Sequence, residues 1–169
     1  NLLGLRGVPA EAEEIIVARD VALARLTKGR VHFAHLSCWQ SLVHVRRAKE
    51  EGLNVTAEVT PHHLVFTESD VASYNANFKM APPLRTERDI DALKKAIADG
   101  TIDCIATDHA PHAPRDKDVL FEFAANGVVG LETNWNVGLG LVAEGLIKLP
   151  KLVEIMSLNP AKVAGIPAG

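Results

Sequence analysis

Thr101-Ile102-Asp103-Cys104-Ile105-Ala106-Thr107-Asp108-His109-Ala110-Pro111-His112 is an apolar strand that runs out into an Asp-His-x-Pro-His loop. Barrel enzymes place metal-binding and proton-transfer groups at the C-terminal ends of their strands. A carboxylate there can hold a metal and can also take a proton from water. An Asp-His pair standing alone would read first as a turn or helix cap. Other histidine-bearing strand ends in the chain favour the site.

Those strand ends emerge from the surrounding pattern. Glu11 to Leu26 carries apolar residues at Ile15, Ile16, Ala18, Ala22, Leu23 and Leu26, the spacing of an amphipathic helix. Pro9 stands near its start and Gly29 is expected to stop it. Val31 to Leu36 reads as a strand, Ser37 to Glu51 as a helix ended by Gly52, and Asn54 to Val59 as a second strand stopped by Thr60-Pro61. Glu87 to Ala98 is a further helix before Gly100, and Ile102 to Ala106 the third strand. The remainder reads as helix over Asn136 to Leu146 and Lys151 to Ser157, with a last turn from Asn159-Pro160.

Strands alternating with helices imply parallel pairing and right-handed crossovers. The fold class is α/β, either part of an open sheet or a partial (β/α)8, TIM-like barrel. All three strands run out at chemically capable residues: His35, then Glu58 with His62 and His63, then Asp108. That concentration on one end is what a catalytic barrel face requires.

Composition excludes several alternatives. The 169 residues are 47% hydrophobic and 23% charged, as in a globular domain with a real core. Net charge is −3 and basic residues such as Arg46, Arg47 and Lys49 sit beside Glu50 and Glu51, so no basic stripe for nucleic acid is expected. Aromatics at 5% offer few stacking platforms for bases. No apolar run approaches about 18 residues, and no signal segment opens the chain, so no membrane span is expected. Cys38 and Cys104 suit reduced, cytoplasmic thiols, with Cys104 a small buried hydrophobe.

Two long connections fall outside this architecture, Asn75 to Thr86 and His109 to Val128. Long loops after barrel strands often hold substrate. The charged stretch Arg115 to Asp118 reads equally as plain surface. Pro82-Pro83 makes a rigid corner beside Arg85.

Four runs in order carry a family resemblance: His35-Leu36-Ser37; Thr56-Ala57-Glu58-Val59-Thr60-Pro61-His62-His63-Leu64; Lys79-Met80-Ala81-Pro82-Pro83-Leu84-Arg85; and Asp103 to His112. Together they resemble dihydroorotases of the long bacterial type, metal-dependent (β/α)8 barrels of the amidohydrolase superfamily. The Thr-Pro-His-His-Leu and Asp-His-Ala-Pro-His pair favours dihydroorotase over allantoinase and dihydropyrimidinase. The family's His-x-His strand is absent, since the histidines are His32, His35, His44, His62, His63, His109 and His112. Residues 1–169 are therefore expected to be the C-terminal half of the barrel, without its N-terminal half and small β-domain.

The resemblance implies zinc-dependent, reversible hydrolysis of dihydroorotate to N-carbamoyl-aspartate in de novo pyrimidine biosynthesis. It implies two zinc ions per complete site, most of their ligands lying outside this chain, so that the isolated chain is expected to be inactive. It assigns His35 and Asp108 as metal ligands, Asp108 as the catalytic base, and His112, Asn126 and Gly127 as substrate contacts. Standing alone, His35 would read first as a buried structural histidine. His32, three residues earlier, is expected on the opposite face of the strand and structural. Glu58 could orient a neighbouring ligand, and His62 and His63 could be structural. Position 81, where the family has a substrate-binding asparagine, is Ala81, which can neither donate nor accept. The implied partners are a small-molecule substrate and either a homo-oligomer or a complex with aspartate carbamoyltransferase. Ala81 leaves two further readings open: an inactive partner of that transferase, or another cyclic amidohydrolase.

Overall fold

The computed structural model describes residues 3–167. Three parallel strands, β1 (Val31–Phe33), β2 (Val55–Val59) and β3 (Cys104–Ile105), lie in the order β1-β2-β3. Val31 is in register with Val55 and Phe33 with Ala57, and Glu58 with Cys104. Each connection is a helical crossover. α1 (Ala10–Thr27) precedes β1, α2 (Trp39–Glu50) links β1 to β2, and α3 (Glu87–Asp99) precedes β3. After β3 come a single turn α4 (Pro114–Lys117) and the helices α5 (Leu131–Ala143), α6 (Leu149–Val153) and α7 (Asn159–Ala164).

The core lies between the sheet and α1 to α3. On β2, Val55, Ala57 and Val59 are buried against the helices, while Thr56 and Glu58 on the other face are half-buried. α1 buries Val17, Val21 and Ala24, α2 buries Leu42, Val45 and Ala48, and α3 buries Ile90, Leu93, Ala96 and Ile97. These spacings of three and four residues place one stripe of each helix on the sheet.

Buried carboxylates lock the layers together. Asp89, 5% exposed, accepts from the Thr86 N–H at 3.0 Å and hydroxyl at 2.6 Å, starting α3. Its other oxygen accepts from the Trp39 N–H at 2.9 Å, so one side chain joins the starts of α2 and α3. Asp103 accepts from Lys49 Nζ at 2.7 Å and the Ala57 N–H at 2.8 Å, tying α2 to β2 just before β3.

Several element boundaries depart from the sequence expectation. α1 ends in Lys28, which takes the left-handed conformation (φ 57°) one residue before the expected Gly29. β1 stops at Phe33 instead of Leu36 because His35 has φ 40°, which breaks the strand before the helix begins. β3 shortens from the expected 102–106 to Cys104–Ile105. α5 begins at Leu131 instead of Asn136, because the His109 ring provides an acceptor for its start from a distant part of the chain. From α6 the chain runs through a wide π turn, Glu154–Leu158, directly into α7. Pro160 follows that turn; its missing N–H makes a regular α turn unfavourable there.

Candidate active site

His35 and Asp108 follow β1 and β3, and both take a left-handed backbone, φ 40° and 45°. Non-glycine residues rarely do so, and such outliers cluster at functional sites. Strand alternation placed His32 and His35 on opposite faces, but alternation holds only where the chain stays extended. His32 and His35 both line one cavity of 480 Å³, as do Phe33 and Ala34 between them, together with Glu13, Ala81, Pro82 and Arg85.

The His35 ring carries a buried nitrogen, Nδ1, without a hydrogen-bond partner. An orphaned buried nitrogen is costly unless something outside the protein's own donors and acceptors engages it. Asp108 is exposed, and no hydrogen bond or ion pair joins its carboxylate to another described residue. The capping role that a lone Asp-His would allow falls instead to its neighbour. His109 Nδ1 accepts from the N–H groups of Gly130 at 3.0 Å and Leu131 at 3.4 Å, at the start of α5. An imidazole nitrogen and a free carboxylate are donors that zinc accepts, so both residues fit that metal. β2 separates their strands, placing β1 and β3 about 10 Å apart, at ~4.8 Å per strand. Among the described residues, no three His, Cys, Asp or Glu side chains converge on a common metal position.

Behind His35 lies a polar cluster that its loop depends on. Glu13 of α1 accepts from the Ser37 N–H at 3.1 Å, the Ser37 hydroxyl, and the Ser41 hydroxyl at 2.7 Å. Ser37 in turn accepts from Arg85 Nε at 3.1 Å, and Arg85 Nη1 donates to the Val8 carbonyl. Ser37 and Ser41 are fully buried and Arg85 nearly so. The Pro82-Pro83 corner is thereby linked to the histidine loop. Cys38, in the same cluster, is free and buried, and burial pushes its thiol up to about 11. Cys104 is the buried hydrophobe expected, its thiol pushed up to about 12 by burial.

Glu58 does not reach His35. Its Oε2 bonds His32 Nε2 at 3.0 Å, and His32 Nδ1 bonds the Thr56 hydroxyl at 2.8 Å. His62 and His63 are buried with ring centroids 4.6 Å apart, and burial lowers them to about 3 and about 4. His63 Nε2 donates to the Pro82 carbonyl at 3.1 Å.

The remaining sequence-selected residues meet on the two long loops. Ala81 is exposed, precedes a cis bond to Pro82, and lines the His35 cavity and a neighbouring one of 410 Å³. Asn126 lines the second cavity with it. His112 Nε2 donates to the Asn126 carbonyl at 2.8 Å, so a neutral His112 ring offers only its Nδ1 lone pair elsewhere. Gly127 has φ 127°, and an added Cβ would lie 2.5 Å from Ala110 Cβ, which explains glycine there. Its N–H donates to the Lys79 carbonyl at 3.0 Å, so this amide is already engaged by the other long loop.

Sequence reasoning missed Glu13, Arg85, His109 and Lys117. Each acts on residues distant in the chain. Only the composition of Arg85, a cation beside two prolines, hinted at a role.

Three parallel strands with helical crossovers, and polar residues gathered where those strands end, form part of a barrel of the hydrolase type. The chain belongs to the Amidohydrolase family, whose sequence profile it matches over residues 8–169. It is 54% identical over 169 residues to the dihydroorotase of Anaeromyxobacter dehalogenans, covering 99% of this chain and 39% of that one. The dihydroorotase of Caldanaerobacter subterraneus subsp. tengcongensis is 50% identical over 170 residues, covering 100% of this chain and 39% of its own. The chain therefore spans about two-fifths of the length of these curated relatives. Among solved structures, the L-hydantoinase (dihydropyrimidinase) of Arthrobacter aurescens superposes with a TM-score of 0.86 at 30% identity. That match covers 93% of this chain and 36% of the other. A D-hydantoinase matches at 0.84 and 30%, over 91% and 35%. No described helix is long and apolar enough to cross a membrane.

Proposed function

We propose that the full-length protein is a cytoplasmic, zinc-dependent dihydroorotase, acting reversibly between dihydroorotate and N-carbamoyl-aspartate in pyrimidine biosynthesis. The observation that carries this reading is the pairing of an orphaned His35 nitrogen with an uncommitted Asp108 carboxylate, in a chain half identical to dihydroorotases. His35 and Asp108 would supply two ligands, the others coming from outside residues 1–169. Zinc, when bound, lowers the pKa of water and polarises the amide carbonyl. Asp108 takes the proton from the attacking water and delivers it to the departing ring nitrogen; ring closure reverses both transfers. His112, with Nε2–H held by Asn126, presents Nδ1 as an acceptor for a substrate N–H. Ala81 and Asn126 border the substrate.

Position 81 favours a second reading, hydrolysis of a different cyclic amide such as a hydantoin or dihydropyrimidine. The family's amide contact is missing there, and exposed Ala81 widens the cavity. The discriminating experiment assays the zinc-loaded full-length protein on dihydroorotate, hydantoin and dihydrouracil. Turnover of dihydroorotate at least tenfold above the others, abolished by a chelator, supports the first reading. A reversed preference replaces it with the second, and no turnover of any of them defeats both.

A further inference from the structure

The charged stretch 115–118 contains a lysine whose surroundings are unlike those of a surface residue. Lys117 Nζ donates to three backbone carbonyls: Ala125 at 2.8 Å, Ala76 at 2.9 Å and Lys79 at 3.2 Å. An ammonium has three donors, and all three are engaged. Asp116 and Asp118 flank it in sequence, yet no ion pair joins it to a carboxylate. Partial burial and the neighbouring Lys79 lower its pKa.

The three carbonyls belong to two separate loops. Ala76 and Lys79 precede Ala81, and Ala125 precedes Asn126 and Gly127. Two further bonds join the same loops. The Gly127 N–H donates to the Lys79 carbonyl, and Lys79 Nζ returns across the gap to the Glu122 carbonyl at 2.8 Å. Lys79 Nζ also lies 5.6 Å from the Phe121 ring centre. The two lysines thus form a reciprocal clasp, each crossing from one loop to the backbone of the other.

We propose that Lys117 is a positioning residue that fixes the loop bearing Ala81 against the loop bearing Asn126 and Gly127, so that the two act as one wall of the substrate site. It touches no reacting atom. Its role as a substrate wall rests on the reading of residues 81, 126 and 127 as substrate neighbours, whereas the clasp itself does not.

The test uses the zinc-loaded full-length protein and Lys117→Met, which keeps the unbranched stem, one atom shorter, and removes the donors. KM for dihydroorotate is expected to rise about ten- to hundredfold, the range caused by displacing positioning groups by ~1 Å, with kcat within about threefold. Hydrogen exchange should quicken in peptides covering 76–81 and 124–128 and nowhere else. A Lys117→Cys variant treated with 2-bromoethylamine regains an ammonium at nearly the original reach, and should recover KM. Wild type treated in parallel is the control, Cys38 and Cys104 being buried. Unchanged KM and exchange in Lys117→Met would overturn the proposal. So would a general loss of protection with kcat and KM both impaired and no recovery on aminoethylation. If the protein turns over no dihydroorotate, the proposed function fails, while local exchange and its recovery still decide whether the clasp exists.

Discussion

His63 and Pro82 are joined by a hydrogen bond whose direction fixes the state of the ring. A carbonyl can only accept, so Nε2 carries the proton and donates at 3.1 Å. With the ring held neutral by burial, Nδ1 is unprotonated and accepts from the Thr60 hydroxyl at 2.7 Å. The neutral ring secures the corner that leads to Arg85. Burial, the largest influence, holds His63 down to about 4, against an ordinary value of about 6.5.

A pH dependence follows from that ring. Below about pH 6.5 the unfolded chain binds a proton at His63 that the folded chain refuses until about pH 4. Stability therefore falls as pH drops through this window, by about 3 kcal/mol at most for the shift between these values. Urea unfolding of the full-length protein at pH 7.0, 5.5 and 4.5 measures it. His63→Gln should be less stable at pH 7 and show a shallower decline. Equal slopes for both proteins would remove His63 as the cause.

Asp108→Asn keeps size and removes the base. Turnover of dihydroorotate and of N-carbamoyl-aspartate should both fall by about 10²–10⁴-fold, since one group moves the proton each way. Steady-state assays in both directions read this out. Turnover near wild type would leave Asp108 with no part in proton transfer.

Ala81→Asn introduces an amide at an exposed position that borders both cavities. One recovered neutral hydrogen bond, roughly 0.5–1.5 kcal/mol, raises kcat/KM for dihydroorotate about two- to twelvefold. A gain on dihydroorotate paired with a loss on hydantoin would mark a pocket adapted to another cyclic amide. No change on either substrate would separate position 81 from the substrate.

Gly127→Ala sets a methyl group against Ala110 at a backbone angle that alanine avoids. About 1–3 kcal/mol of strain is expected, released by displacement of the loop. KM should increase severalfold and the exchange of residues 124–128 quicken, with zinc content unaltered. An alanine variant with native KM would show that the loop absorbs the methyl group without cost.

Much of the barrel-like frame was legible because its signals are local. Leu93, Ala96 and Ile97 repeat at helical spacing between Thr86 and Gly100, and α3 forms there. The parallel order of the strands followed from their alternation with helices. His35 and Asp108 stood out by residue type at strand ends, and both prove to have unusual backbones. The left-handed turn at His35 was not legible, because no glycine or asparagine stands there to announce it. α5 was begun five residues late because its acceptor, His109, lies more than 20 residues upstream. Lys117 was invisible for a related reason: its partners are carbonyls, which every residue carries, so no side-chain pattern announces them.

His32, reaching Thr56 with one ring nitrogen and Glu58 with the other, makes three residues on two strands chemically interdependent. Replacing His32 removes the partner of both others, replacing Thr56 or Glu58 strands one nitrogen of the ring, and only exchanging all three together for apolar residues leaves no group unpaired. Change on this face of the sheet should thus come as concerted substitutions. Ala57 and Val59, packed without exposure on the opposite face, answer to volume alone and can vary one at a time. One short strand, β2, thereby carries two different rules of inheritance, alternating residue by residue.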